Sequence, residues 1–208
     1  MTEPWPHIIC ESCNNEFDIT PIGDTETVEV KYCLHDNSGY EFHYLTSQKK
    51  YHIKLESDDY DIHGHVMPMW NDDLERWDKI SNWALDILEY WNLDLVVLED
   101  YSFASTGRVF QIGEHFGLLK YKMKRGIIPF KTVPPTVLKK FATGKGNANK
   151  ELLNESFIQE TGWDVKKELQ QTDKQWNPSS DIIDSYYLAE WGRNEIQRNH
   201  TNDEGLEG

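Results

Sequence analysis

The chain has no run approaching the about 18 consecutive apolar residues of a membrane span. Residues 1–6 have neither the basic start nor the apolar stretch of a secretory leader. Cysteine is scarce: the three present cannot all pair, which fits a reducing compartment. These absences lead to the expectation of a soluble, intracellular (cytoplasmic) protein. Acidic residues are missing from one region. Residues 105–150 hold one acid, Glu114, against ten Lys or Arg, a net +9 within a total of −15, which leaves −24 for the rest of the chain. A basic island in an acidic chain marks a surface for a polyanion, and the surrounding acidity disfavours indiscriminate binding elsewhere. No Gly-x-x-x-x-Gly-Lys-Ser/Thr loop occurs, so these cations are not those of a P-loop.

What is present suits one domain. The length of 208 residues and an apolar content of 38%, rich in Trp, Tyr and Phe, are enough for one sizeable core. The expectation is a single domain over residues 1–193 followed by a flexible acidic tail, 194–208. Residues 26–34 and 40–45 alternate in part and flank a turn at 36–39, which predicts a hairpin. Residues 57–73 are polar, broken by Gly64 and Pro68, and are expected to form an irregular connection. In the segment 72–91, Leu74, Trp77, Ile80, Ala84, Leu88 and Trp91 recur at helical steps. Residues 93–98 read as a buried central strand. Next come a helix over 108–124, in which Gly113 and Gly117 permit close approach of a neighbour, and a strand over 127–133. A short helix opened by Pro134 and Pro135 follows, then a Gly-Lys-Gly loop and a helix over 149–160. Residues 162–179 read as a surface excursion before a last helix over 181–191, with Ser180 as its cap. Hairpins followed by alternating helices and strands predict an α/β domain with a mixed sheet.

Isolated acids flank the basic island. Glu99 closes the central strand, where side chains at the C-terminal edge of a sheet commonly form sites. Asp181 and Asp184 are three apart on a predicted helix and so share a face. Two acids on one face repel unless a cation lies between them, and Mg²⁺ takes oxygen ligands of this kind. Two such ions about 3.5–4 Å apart activate a water and stabilise the leaving oxygen of a phosphodiester. Lys139, Lys140, Lys145 and Lys150 make a compact cation cluster around Gly144 and Gly146. Together these are the parts of a metal-dependent nuclease.

Five segments carry a resemblance: 98–103 (Leu-Glu-Asp-Tyr-Ser-Phe), 113–117 (Gly-Glu-His-Phe-Gly), 133–140 (Val-Pro-Pro-Thr-Val-Leu-Lys-Lys), 143–150 (Thr-Gly-Lys-Gly-Asn-Ala-Asn-Lys) and 181–189 (Asp-Ile-Ile-Asp-Ser-Tyr-Tyr-Leu-Ala). In this order they closely resemble the RuvC-like Holliday-junction resolvases, especially the phage branch. The resemblance covers residues 77–191. It implies an RNase H-like mixed sheet flanked by helices, and Mg²⁺-dependent cleavage of branched DNA, with Mn²⁺ as a substitute. It also implies a homodimer that nicks two strands symmetrically, with the apolar face of the 108–124 helix as its seam. By motif, Glu99 is the acid of the central strand, and Asp181 and Asp184 those of the last helix. Lys139, Lys145 and Lys150 would lie near the scissile phosphate or the DNA arms, Lys150 serving catalysis, with Arg108 and Lys140 as further DNA contacts. The family opens with a strand ending in a metal-bridging Asp. Here Glu11 stands nearest that role, a second alignment puts the acid before Met1, and Asp18 is a third candidate. Without that acid the chain would bind junction DNA and cut poorly.

Cys10, Cys13, Cys33 and His35 have part of a zinc spacing, although ordinary strand cysteines account for them too. His63 and His65, beside Asp59 and Asp61, look metal-like but fall in the polar connection and are expected at the surface. Trp70, Trp77, Trp83 and Trp91 read as core, whereas Trp163 and Trp176 are the candidates for stacking on DNA.

Overall fold

A computed structural model describes residues 16–22, 25–34, 37–57, 59–91, 93, 95–100 and 109–204. Strands β1 (Glu16–Ile22), β2 (Thr25–Leu34) and β3 (Asn37–Thr46) form an antiparallel meander. Then come β4 (Lys54–Leu55), β5 (Tyr60–Val66), α1 (Asp73–Trp91), β6 (Leu95–Glu99), α2 (Val109–Arg125) and β7 (Phe130–Val133). Helices α3 (Pro135–Thr143), α4 (Lys150–Thr161), α5 (Val165–Glu168) and α6 (Ser179–Glu204) complete the chain. The seven strands make one mixed sheet in the order β4-β5-β3-β2-β1-β6-β7, with β1–β6, β6–β7 and β3–β5 parallel. Among the described residues, no helix is long and apolar enough to cross a membrane.

Both faces of the sheet are covered, and β6 shows why. Its first four residues are buried and alternate between two cores. Leu95 and Val97 join Phe42, Tyr44 and Ile62 under α3, α4 and α6. Val96 and Leu98 join Ala84, Leu88, Phe116, Leu119 and Met123 under α1 and α2. A strand buried on both sides has no polar alternation, which is how it reads in sequence. Helix α1 buries Trp77, Ile80, Ala84 and Leu88, and Asp72 Oδ1 accepts from Glu75 N at 2.8 Å to cap its start. Trp70, by contrast with the expected core, is 38% exposed under Arg76.

The sheet and helix boundaries depart from expectation in four places. Residues 60–66 are strand β5, not an irregular connection, and pair with β3 in register from Tyr40↔Tyr60 to Thr46↔Val66. Gly64 is required there: a Cβ on it would lie 2.0 Å from Tyr51 O, so only glycine admits the strand beneath that carbonyl. The 162–179 excursion is partly core, since Trp163, Val165 and Leu169 are buried. Trp163 stacks on Tyr60 with centroids 3.6 Å apart, which removes it as a platform for bases. Trp176 is half-buried, with Lys166 Nζ 3.7 Å from its ring centre. Helix α6 starts at Ser179, so Ser180 is a helical residue rather than the cap, and it runs on to Glu204 through most of the expected tail. Finally, a Cβ at Gly113 or Gly117 would meet nothing within 4 Å, so neither glycine serves close packing inside this chain.

Candidate active site

Helix α6 is buried on nearly every side from Ser179 to Ala189, which is unusual for a helix carrying two acids in that stretch. Asp181 is 1% exposed and Asp184 half-buried. Glu99, at the end of β6 and half-buried, follows Val97 on the same face of the strand, the face that packs on α6. The three expected acids are therefore within electrostatic reach of one another. Burial, then the charge of Asp184, pushes Glu99 up to about 8, against the opposing pull of Lys139. Burial, then Asp184, raises Asp181 well above the carboxylate range, with Glu99 adding to the rise while Lys150 and Ser180 oppose it. Burial raises Asp184 to about 6 although Lys150 and Lys139 draw it down. Asp181 Oδ2 is buried without a hydrogen-bond partner. A buried carboxylate oxygen left unsatisfied beside two further acids suits a cation.

Two lysines reach this group from the α3–α4 layer. Lys139 lies on α3, which begins at Pro135 with Pro134 before it. Lys150 is the first residue of α4, whose cap is Asn149, accepting from Leu152 N at 3.0 Å. The loop between them folds back because residue 146 is glycine: a Cβ there would sit 3.0 Å from Thr136 O. That close return sets Lys150 against the start of α6, where its Nζ donates to Ser180 Oγ at 3.2 Å. Lys140 and Lys145 are exposed nearby and have no acidic partner among the described residues. The rest of the basic island is not one surface. Lys122 is paired with Asp78 at 2.7 Å and bonds Asn82, while Lys131 reaches Glu195 at 3.3 Å.

The structure thus brings together Glu99, Asp181, Asp184, Lys139 and Lys150. Glu11, Arg108, Cys10, Cys13 and His35 lie outside the described residues, and the side chain of Cys33 in β2 is likewise not described. Asp18 falls on β1, in register with Val97 of the parallel neighbour β6, so position 18 belongs to the same sheet face as positions 97 and 99.

A second polar group joins Glu41 and His43, which the sequence reading did not single out, to His63 and His65, which it expected at the surface. His63 and His65 are half-buried on β5 rather than at the surface. Glu41 and His43 alternate with core residues Phe42 and Tyr44, so they face the opposite side of the sheet, toward α1. His43 Nε2 is 2.8 Å and His63 Nε2 3.2 Å from Glu41 Oε1, and His43 Nδ1 is 2.9 Å from His65 Nε2. The signal was in the sequence as two alternating strings, Glu41-x-His43 and Asp61-x-His63-x-His65, hidden by the breaker reading of Gly64.

No family model and no curated protein sequence matches the chain. Solved structures share its fold. Thermus thermophilus RuvC aligns at 16% identity with a TM-score of 0.53, covering 84% of this chain and 90% of that one. The same protein in complex with a Holliday junction substrate aligns at 14% identity and 0.55, covering 85% and 91%. The yeast mitochondrial Holliday junction resolvase Ydc2 aligns at 16% and 0.55, covering 91% and 84%. The architecture is therefore the mixed α/β fold of the RuvC-type, RNase H-like resolvases.

Proposed function

We propose that this chain is a structure-selective DNA endonuclease that resolves four-way junctions by metal-dependent phosphodiester hydrolysis. The observation that carries this reading is the set of three carboxylates beside Lys139 and Lys150 whose pKa burial raises, with the charge of Asp184 adding to the rise in Glu99 and Asp181. The fold shared with proteins that act on Holliday junctions supports the choice of substrate. Affiliation with the phage branch rests on the sequence motifs alone.

The residues fit Mg²⁺, with Mn²⁺ as a substitute. They are hard oxygen donors, and the orphaned Asp181 Oδ2 is satisfied only by a cation or a proton. Glu99, Asp181 and Asp184 would hold the ion, joined by an acid of the first strand. Of the sequence candidates, Asp18 has the support of its register beside β6. When bound, the ion neutralises phosphate charge and makes water a better nucleophile. The protein's own part is positioning. Lys150 and Lys139 meet the non-bridging oxygens of the scissile phosphate, and Lys140 and Lys145 engage the neighbouring backbone of the DNA arms. Water attacks phosphorus in line, the new P–O bond forms as the bond to the 3′ oxygen breaks, and that oxygen takes up a proton. The carboxylates, stripped of their protons by the ion, fix the geometry in which this happens. A homodimer would present two such centres to opposite strands, with α2, whose Ile112 and Gly117 are exposed, as the seam.

The test is incubation of the protein with a synthetic four-way junction and Mg²⁺. Paired nicks at symmetric positions are expected, with flaps and RNA–DNA hybrids cut far more slowly. Binding without nicks would instead indicate a junction-binding protein lacking its first-strand acid. In a nicking-competent protein, Asp18→Asn is expected to abolish cleavage and Glu11→Gln to leave it intact.

A further inference from the structure

We propose that Glu41, His43 and His63 form a Zn²⁺ site on the face of the sheet opposite the acid trio. Their ligand atoms all lie within 4.8 Å of one another, and they are the one such group of three among the described residues. Zinc bonds of about 2.0–2.1 Å at tetrahedral angles place ligand atoms about 3.3 Å apart. The two measured separations from Glu41 Oε1, 2.8 and 3.2 Å, are already close to that edge. Two imidazoles and one carboxylate are borderline donors that suit Zn²⁺ better than Mg²⁺, so the site differs in chemistry from the all-oxygen trio. Water supplies the fourth ligand.

The surroundings are those of a built site. Glu41, His43 and His63 have side chains 14%, 10% and 11% exposed, enough for an ion to enter and too little for free solvation. His43 has a partner for its other nitrogen: Nδ1 lies 2.9 Å from His65 Nε2, and the tautomer that carries its proton on Nδ1 leaves Nε2 to face the ion. His65 is itself held against Trp83 of α1, edge to face at 5.5 Å. The rings of His43 and His63 stack at 4.7 Å, which keeps their nitrogens side by side above Glu41 Oε1. Lys54, in register with His63, pairs with Glu56. The ion would tie β3 to β5, the parallel pair that carries the β4 edge, by a link through side chains of both strands.

The full-length protein, stripped with a chelator and dialysed, is titrated with Zn²⁺ alone, and bound metal and melting temperature are measured. One equivalent bound through this site and a rise in melting temperature are expected for the wild type. Glu41→Gln, which preserves shape, and the double variant His43→Gln/His63→Gln should each lose that equivalent and the thermal rise. His65→Gln should weaken affinity by about tenfold to a hundredfold, as expected of an orienting partner. Glu99→Gln should bind Zn²⁺ at this site as the wild type does. With Co²⁺ as the probe, the ion at this site should give no thiolate charge-transfer band. Unchanged stoichiometry in Glu41→Gln, whose fold circular dichroism verifies, would overturn the proposal. So would zinc lost only on replacing Cys10 and Cys13.

Discussion

On the α6 side of the sheet, burial raises the pKa of Glu99, Asp181 and Asp184, the charge of Asp184 adds to the rise in the other two, and Lys140 and Lys145 have no acidic partner among the described residues. On the α1 side, Glu41 bonds His43, Lys122 pairs with Asp78, and Lys79 pairs with Glu75. The same polymer leaves buried acids uncompensated in one layer and pairs more exposed charges in the other. Burying charge without a partner costs several kcal/mol or more. A fold tolerates that cost where an external ligand completes the balance. The α6 side therefore fits the proposed role with cations and phosphates, and the α1 side is one of paired surface charges.

The comparison breaks most visibly if the acids prove dispensable. Glu99→Gln and Asp181→Asn should each slow junction cleavage by about a thousandfold or more, on the scale of lost transition-state charge stabilisation. Junction affinity, measured by gel shift, should stay near wild type. Full activity in Glu99→Gln would remove that residue from the site.

A smaller effect concerns pH. Asp184 and Glu99 hold their protons more tightly folded than unfolded, with folded values of about 6 and 8 against 3.8 and 4.5. Between roughly pH 4 and 8 the folded state therefore binds more protons than the unfolded chain, and the stability these groups give the metal-free protein is lost as pH rises through that window. Melting temperature without metal should fall from pH 5 to pH 8, and added Mg²⁺ should restore it most at pH 8. At pH 8, Glu99→Gln should stabilise the metal-free protein by about 1–2 kcal/mol, since one member of a repelling group is gone. A metal-free melting temperature that does not decline over this range would show that the acids do not repel.

The smallest effect separates the two kinds of lysine. Lys145→Ala should weaken junction binding and reduce the slope of log affinity against log salt by about 0.9 per lost phosphate contact. Lys122→Ala, on the compensated side, should leave that slope unchanged and lower stability instead. Equal slopes for both variants would dissolve the distinction.

Much of this was legible in the residue order, and the exceptions have physical causes. The spacing of Trp77, Ile80, Ala84 and Leu88 declares α1 because one face alone is buried, and β6 is evident because both of its faces are. Strand β5 was obscured because the face opposite the buried Ile62 carries Asp61, His63 and His65, and because Gly64 serves close approach rather than a turn. The second half of α6 was obscured because Asn, Glu and Arg there give no apolar stripe, although no Gly or Pro interrupts the helix between Arg193 and Glu204. Of the site, the two α6 acids and the strand-end Glu99 were visible from position alone. Their coupling to Lys139 and Lys150 was not, since it depends on a loop return enforced at Gly146. The standing of Asp18 against Glu11 needed strand register, which no local pattern supplies.

Helix α6 holds a double office: it is the keystone of the larger core, and it carries two of the three acids. Ile182, Ile183, Leu188 and Ala189 fix its depth to within the tolerance of close packing. A bulkier residue at Ala189 would thus act as a remote detuner, shifting the carboxylates through the helix axis without touching them. Such a chain has little freedom to drift in its interior while its chemistry stays in focus.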